Sequence, residues 1–398
     1  MYHLKNKTII LGVSGGIACY KSVELVRQLQ KAGASVYVIM TKNATRFVGP
    51  ITFEAISGNP VCVELFNTTS DTKFHHIQWA EMADAVVVAP TTANVLAKIA
   101  HGIADDALTT FLLAVNSPTL LSPSMNTRMW ENNVVQDNIS IIKKRKMSIL
   151  QPASGELACG SSGAGRQPEA SVIVEYIHRL LAPQDYHGKK VLVTAGPTLE
   201  YIDPVRYISN PSSGKMGYEI ARAAFSRGAD VTLISGPTNL EFPFGVRRIS
   251  VQKANEMANA VFDHQAQMDI IIKAAAVADY HVEKPEIHKI KKETDDLHIS
   301  LKKNPDILKE LGNRKKGQIL IGFAAETQDL KKNALQKLTK KNLDMIVANI
   351  VGQDDTGFQA DTNKVMFFFK DGKEESIPLS SKETVAHCLL DRIHTSFL

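Results

Sequence analysis

The sequence predicts an α/β protein built from two doubly wound, parallel-sheet domains, and three observations carry that expectation. Short apolar, β-branched runs alternate with amphipathic stretches from residue 8 to about 181. The alternation then restarts after a polar connector, Ala182-Pro183-Gln184-Asp185-Tyr186-His187-Gly188. A chain of 398 residues also exceeds one typical core, so more than one domain is expected.

In the first half the strand-like runs are 8–13, 35–40, 85–89 and 119–122, with a weaker one at 147–150; helical periodicity marks 17–31, 94–100, 105–113 and 170–181. Strands separated by helices imply right-handed βαβ units and a parallel sheet. In the second half strands are expected at 190–195, 230–235, 269–273, 318–323 and 344–349. Helices fit 217–227, 254–265, 306–312, 329–341 and a final 381–395. The runs 364–370 and 373–378 flank Asp371-Gly372, a tight-turn dipeptide, and add an antiparallel hairpin.

Composition excludes several classes. Apolar residues make up 44% and charged residues 22%, which is ordinary for a globular protein. A formal charge of +5 suits anionic metabolites but is too small for a nucleic-acid footprint. Cys19, Cys62, Cys159 and Cys388 lie far apart, which argues against a zinc site or disulfide framework and fits a reducing cytoplasm. The run 8–13 is too short for a signal peptide, and no stretch approaches the roughly 20 apolar residues of a membrane span.

The most informative stretch is Asp203 to Gly217, a loop between an apolar strand and a helix. It offers hydroxyls, Asn210, Arg206 and Lys215 around a helix N-terminus, so a phosphate-bearing ligand is the first expectation. The earlier turn Gly12-Val13-Ser14-Gly15-Gly16-Ile17-Ala18 lacks the Gly-x-Gly-x-x-Gly order of a dinucleotide fold and the lysine of a P-loop. It could hold one phosphate of a mononucleotide, though a small-residue turn packing helix on strand explains it equally well. Three further islands stand out: Phe74-His75-His76-Ile77, Pro123-Ser124-Met125-Asn126, and the Gly/Ser-rich loop 154–166 carrying Cys159 and Arg166. The second follows a strand, where α/β folds place ligands. The third reads as a flexible lid, since a linker has no need of a thiol and a guanidinium.

Taken together, the Ser-Gly-Gly-Ile-Ala opening, the His-Ile pair, Pro-x-Met-Asn and the Ala-Cys-Gly loop resemble the flavin-dependent decarboxylases that act on cysteine carboxylates. Joined to the 203–217 segment, they resemble the bacterial bifunctional flavoproteins of coenzyme A biosynthesis, over nearly the whole chain. The resemblance implies an FMN-dependent phosphopantothenoylcysteine decarboxylase at 1–188 and a CTP-dependent phosphopantothenate–cysteine ligase at 189–398. It makes His76 the base or polar partner at the thiol, Asn126 the hydrogen-bond donor to the departing carboxylate, and Cys159 the acid of the reductive step. Ser14, Gly15, Gly16 and Thr41 are the expected flavin contacts.

For the ligase the resemblance implies CTP, an acyl-cytidylate and Mg²⁺ to offset triphosphate charge, its ligands unassigned. Asn210 would hold the acyl intermediate, Asp279 would read the nucleotide, and Lys289 would neutralise developing phosphate charge. Pro305, Asp306, Ile307 and Leu308 open a helix whose N–H groups suit a base or phosphate. Phe323 would pack on the base, and Lys337 and Lys341 share a helix face at i, i+4 spacing. Without the resemblance, these lysines read as a solvated face and Phe323 as core. A homo-oligomer is also implied. A catalytically silent flavin-binding regulatory or assembly protein is the competing reading, countered by the joint presence of His76, Asn126 and Cys159.

Overall fold

The computed structural model describes residues 4–65, 75–156, 160, 162–291, 297–326, 328–350 and 359–398. The chain divides into two compact units, residues 2–182 and Pro183–Leu398.

In the first unit the chain runs β1 (Thr8–Val13), α1 (Cys19–Lys31), β2 (Ser35–Met40), α2 (Pro50–Ser57), β3 (Val61–Cys62), α3 (His75–Met82), β4 (Ala85–Thr91) and α4 (Ala93–His101). It continues through α5 (Ala107–Ala114), β5 (Thr119–Pro123), α6 (Thr127–Trp130), α7 (Asn133–Lys144), β6 (Ser148–Ile149), β7 (Ala153–Glu156), β8 (Ser162–Arg166) and α8 (Ala170–Leu181). Among the described residues β1–β6 form one sheet in the order β3-β2-β1-β4-β5-β6, every pair parallel. The central strands β4 and β5 are buried along their whole length, as a sheet covered by helices on both faces requires. One core, with Leu11, Val38 and Val87, lies under α1 and α8; the other, with Ile10, Val88 and Leu121, lies under α4 and α5.

The second unit runs β9 (Lys190–Ala195), β10 (Leu199–Tyr201), β11 (Tyr207–Ser209), α9 (Lys215–Ser226), β12 (Asp230–Ser235), β13 (Arg247–Ser250), α10 (Ala254–His264) and β14 (Ile270–Lys273). Then come β15 (Tyr280–Val282), β16 (Leu301–Lys303), α11 (Ile307–Arg314), β17 (Ile319–Glu326), α12 (Leu330–Lys340), β18 (Met345–Ile350), β19 (Thr362–Phe369), β20 (Glu374–Ser381) and α13 (Lys382–Phe397). Its main sheet has the order β13-β12-β9-β14-β17-β18-β19-β20. The strands from β13 to β18 are parallel, and β19 and β20 add the expected antiparallel hairpin. In both units the strand order reverses beside the first strand, between β1 and β4 and between β9 and β14. Ligands of open α/β sheets bind at such switch points.

Several local expectations are corrected. The 154–166 segment is not a plain flexible loop, because β7 and β8 pair antiparallel on either side of its tip. The 203–217 loop is not all irregular, because its residues 207–209 form β11, which pairs with β10 just before the loop. The connector 182–188 is not a free linker either, and the expected 188/189 boundary moves to 182/183. Tyr186 is fully buried in the second unit's core and donates from its hydroxyl to Leu390 O at 2.6 Å. Asp185 pairs with the buried Arg227, which also reaches Asp391 at 2.6 Å. Among the described residues, no helix is long and apolar enough to cross a membrane.

Candidate active sites at the two switch points

In the first unit a cavity of about 570 Å³ opens at the carboxyl ends of the strands, lined among others by Gly15, Thr41, Asn43, Thr92, Ser124 and Met125. The β1–α1 turn explains its shape. A Cβ on Gly15 would lie 2.5 Å from Asn43 Cβ, so only glycine lets the loops after β1 and β2 approach this closely. Ser14 is fully buried; its hydroxyl donates to Pro90 O at 2.7 Å and accepts from Thr92 N at 2.9 Å. That side chain is therefore engaged in locking β1 to β4, not in lining the cavity. Gly16 is not sterically required to be glycine, since an added Cβ would make ordinary contact with Thr92 Cγ2 at 3.5 Å. Thr41 is nearly buried and lines the cavity.

The cavity's donor set fits a phosphate-bearing cofactor. It combines the α4 N-terminus, capped by Thr92, with the hydroxyls of Thr41 and Thr92. Its volume lies within the range of cofactor sites. Ser122 Oγ and Thr127 Oγ1, on either side of the 123–126 turn, are buried without a partner among the described residues.

Asn126 ends that turn and caps α6, its Oδ1 accepting from Arg128 N at 2.9 Å. The β8 strand is packed onto it: Met125 N donates to Gly165 O at 3.0 Å, and a Cβ on Gly163 would lie 2.6 Å from Thr127 Oγ1. The hairpin is thus fastened beside Asn126. Cys159 itself lies outside the described residues, and His76 is described only as part of the first turn of α3.

In the second unit one cavity of about 550 Å³ gathers nearly all the expected ligase residues. Asn210, Asp279, Pro305, Asp306, Ile307, Leu308, Phe323, Lys337 and Lys341 all line it, although they span more than a hundred residues of chain. Asn210 donates from Nδ2 to Ala276 O at 3.1 Å, tying the loop before α9 to the segment after β14. Gly214 caps α9 at φ +79°, and a Cβ there would lie 2.7 Å from Thr238 Cγ2, so glycine alone fits. Asp306 caps α11 by accepting from Lys309 N at 3.1 Å and also pairs with Lys341 at 2.9 Å. Lys337 pairs with Glu326 at 2.6 Å, and Phe323 is half-buried against the core.

Electrostatics favour an anion here. Among the described residues, Lys215, Lys273, Lys303, Lys337, Lys341 and Lys382 line the cavity, against two carboxylates, Asp279 and Asp306. Lys273, half-buried at the end of β14, has its ammonium pulled down to about 8, first by burial and then by Lys341. Lys273 and Lys382 were missed from sequence. The available signal was a lysine closing the apolar run Ile270-Ile271-Ile272; nothing marks Lys382 before folding.

Two expected cations are elsewhere. Arg206 does not face the cavity: its guanidinium binds Asp203 through Nε at 2.9 Å and Nη2 at 2.5 Å and donates to Ile290 O at 2.9 Å. Arg206 holds the buried Asp203 carboxyl well below the usual range, helped by N–H groups from Val205, Ile290 and Arg206 itself. Lys289 is exposed and lines a different cavity, with Ile202, His288 and Ser300. The structure does not bring it to the residues around Asn210. No cluster of three or more His, Cys, Asp or Glu side chains arranged for a metal occurs among the described residues.

Two Rossmann-order units, one with a hydroxyl-lined and one with a lysine-lined switch-point cavity, define a two-domain enzyme of the nucleotide- and cofactor-binding α/β class. Residues 1–182 match the Flavoprotein family, and residues 186–397 match the DNA/pantothenate metabolism flavoprotein C-terminal domain. The chain is 47% identical over 394 residues to the coenzyme A biosynthesis bifunctional protein CoaBC of Bacillus subtilis (strain 168), covering 98% of this chain and 97% of that one. Against CoaBC of Escherichia coli (strain K12) identity is 43% over 399 residues, covering 99% and 98%. The crystal structure of the C-terminal domain of a CoaBC protein is 44% identical, covering 53% of this chain and 97% of that one, with a TM-score of 0.46. The chain belongs to the family of coenzyme A biosynthesis bifunctional proteins CoaBC. It is a bifunctional enzyme of coenzyme A biosynthesis whose first unit is a flavoprotein.

Proposed function

We propose that the second unit joins cysteine to 4'-phosphopantothenate, using CTP through an acyl-cytidylate, and that the first unit decarboxylates the product with FMN to 4'-phosphopantetheine. The observation that carries the ligase reading is the single cavity in which six lysines face two aspartates. A triphosphate brings charge that such a cavity attracts, and pyrophosphate leaving from it needs cations fixed in place.

In this reading Lys273, Lys337 and Lys341 hold the nucleotide phosphates, and Ile307 and Leu308 offer backbone N–H groups at the α11 N-terminus. Phe323 packs on the base. Asn210 orients the acyl group, its amide already held by Ala276 O. Mg²⁺ fits as a partner of the triphosphate with Asp279 as its one accessible carboxylate, since magnesium commonly takes one or two carboxylates plus phosphate oxygens. Lys289 keeps its assignment to triphosphate charge on chemistry alone; its placement lends no support.

In the first unit Gly15, Gly16 and Thr41 suit FMN contacts, with Ser14 shaping the turn. Bound flavin supplies the electron sink that side chains lack. Asn126 hydrogen-bonds the leaving carboxylate, His76 serves the thiol, and Cys159 gives a proton, which a thiol of ordinary pKa near 8.5 retains at neutral pH. The protein is assigned to the cytoplasm and to a homo-oligomer. Exposed Ile17, Tyr20 and Ile51 on the first unit support self-association, which light scattering tests directly.

The decisive experiment incubates the purified chain with CTP, Mg²⁺, cysteine and 4'-phosphopantothenate and follows products by mass spectrometry. The expected result is one pyrophosphate per ligation, then loss of CO₂ from a yellow protein. A colourless protein, or no pyrophosphate with all substrates present, would overturn it.

A further inference from the structure

We propose that Lys98, Asp105 and Asp106 form an ionic cluster that sets the reduction potential of the flavin, Lys98 raising it and the two carboxylates lowering it. The inference rests on the FMN reading of the first unit and gives a role to residues outside the motifs that suggested it.

Topology puts the cluster at one side of the first unit's cavity. Lys98 lies on α4, Asp106 caps the N-terminus of α5, and both residues line the cavity. In the sheet order β2-β1-β4-β5, α4 follows β4 and α5 leads into β5. The cluster therefore shares its side with Ser124 and Met125, whereas Thr41 and Asn43 follow β2 on the other. At 1.5 Å per residue, Lys98 is about 9 Å along α4 from the cap Thr92, whose hydroxyl belongs to the phosphate-binding set. A flavin mononucleotide carries its ring a ribityl chain away from its phosphate. The ring also has to meet the substrate near Asn126, at the end of the turn that holds Ser124 and Met125. Both demands turn the ring toward the cluster.

The three side chains hold one another in their charged forms. Lys98 Nζ donates to Asp105 Oδ1 at 2.6 Å and to Asp106 Oδ2 at 3.0 Å. The Lys98 and Asp106 side chains are only 18% and 23% exposed, so their charges are less screened than those of an ordinary surface pair. Burial alone would lower the Lys98 ammonium, but the hydrogen bonds to Asp105 and Asp106 outweigh it and raise the group above its ordinary value. Burial would likewise raise the Asp106 carboxyl, but the Thr109 N–H, Lys98 and the Thr109 hydroxyl outweigh it and hold the group low. The third N–H of the Lys98 ammonium has no partner among the described residues and is available to a polar atom of the ring. Lys42 also lines the cavity, but it is exposed and follows β2.

One ammonium and two carboxylates sum to one negative charge. Two electrons and one proton take a flavin ring from neutral to anionic, so a cation beside it favours the reduced form and a carboxylate disfavours it. Removing either sign from the cluster should therefore move the potential in opposite directions.

The test is anaerobic reductive titration of the full-length enzyme loaded with FMN, read against a reference dye. The dissociation constant of oxidised FMN is measured alongside by fluorescence. Lys98→Met keeps the apolar stem and removes the cation. It should weaken binding of reduced relative to oxidised flavin by about 10- to 100-fold, a fall of roughly 30 to 60 mV for a two-electron couple. Asp106→Asn keeps a side chain able to cap α5 and should raise the potential by a similar factor. The double variant leaves Asp105 alone, which restores the wild-type net charge, so the ratio should return to within about twofold of wild type. A bridge that merely ties α4 to the loop before α5 would not give opposite signs. Shifts of the same sign in the two single variants, or a change in the ratio under about threefold in either, would overturn the proposal. If Lys98→Met fails to hold flavin, the sign of the Asp106→Asn shift decides. Wild-type enzyme that takes up no flavin would bring down the FMN reading and the proposal with it; flavin-loaded variants with unmoved potentials would reject the proposal alone.

Discussion

The amide of Met125 donates to the carbonyl of Gly165 at 3.0 Å, so the β7–β8 hairpin is fastened to the turn that ends in Asn126. Residues far apart in the sequence thus share one hinge. In sequence the thiol proposed as proton donor falls between β7 and β8, and the turn carries the amide proposed to hold the carboxylate.

Gly165→Ala should break this fastening. An added Cβ would lie 2.1 Å from Met125 O, at φ +144°. Decarboxylation should fall about 100-fold, the cost typical of misplacing a reacting group by an ångström. Flavin absorbance and ligase activity should stay at wild-type levels. Equal loss of flavin would mean that the glycine serves cofactor binding and not the hairpin.

Lysine titration should set an alkaline limit on nucleotide binding. Lys273 is cationic only below about pH 8, so affinity for CTP should weaken as pH rises through that value. Stability should move the other way. Between about pH 8 and the ordinary lysine value near 10.4 the unfolded chain binds the extra proton, and stability therefore rises with pH across that window. Lys273→Met should weaken CTP binding, flatten its alkaline loss and reduce the rise in stability, the remainder coming from Lys382, whose ammonium burial also lowers to about 8. Isothermal titration with CTP at pH 7 and 9, and melting curves from pH 7 to 10, read the two signs separately.

Truncation should locate the boundary. A fragment 183–398 keeps Tyr186 in the core and Asp185 on Arg227, whereas 189–398 loses both. The shorter fragment should be less stable by at least about 3 kcal/mol, the usual cost of deleting a buried aromatic. Fragment 1–182 should fold alone and take up FMN. Equal denaturation midpoints for the two C-terminal fragments would contradict the role given to Tyr186.

The ligase half-reactions should separate by residue. Asn210→Asp places a negative charge beside the acyl phosphate and should slow conversion of the intermediate by about 100-fold, while its formation persists. Lys289→Gln should suppress formation of the acyl-cytidylate itself. Decarboxylation should survive in both variants. Quenched reactions without and then with cysteine distinguish the steps. Normal intermediate formation in Lys289→Gln would agree with that lysine's position away from the cavity and would remove it from the mechanism.

Much of this architecture was legible in the amino-acid order. Apolar runs such as 8–13 and 190–195 are buried on both faces, and that demand leaves a period-free apolar signature. The Asp371-Gly372 turn was equally legible, since Gly372 takes φ +91°. Short elements were not: β10, β11, β15 and β16 are three residues each, too short to show a period, and form only by pairing with each other as two ribbons. The connector misled for a related reason. Its Pro, Gly and polar residues look like a linker, yet Tyr186 and Asp185 are claimed by α13 and Arg227.

By itself the sequence determined the two alternating halves, the strand-end loops and the residue types able to carry the chemistry, because these follow from local periodicity and side-chain identity. The tertiary structure alone decided which charges face a ligand. Arg206 turned to Asp203 and Ile290, Lys289 fell outside the cavity, and Lys273 and Lys382 entered it. Strand order set those outcomes. A lysine's usefulness to an anion depends on burial and on its neighbours across the sheet, and neither exists until the strands have taken their places.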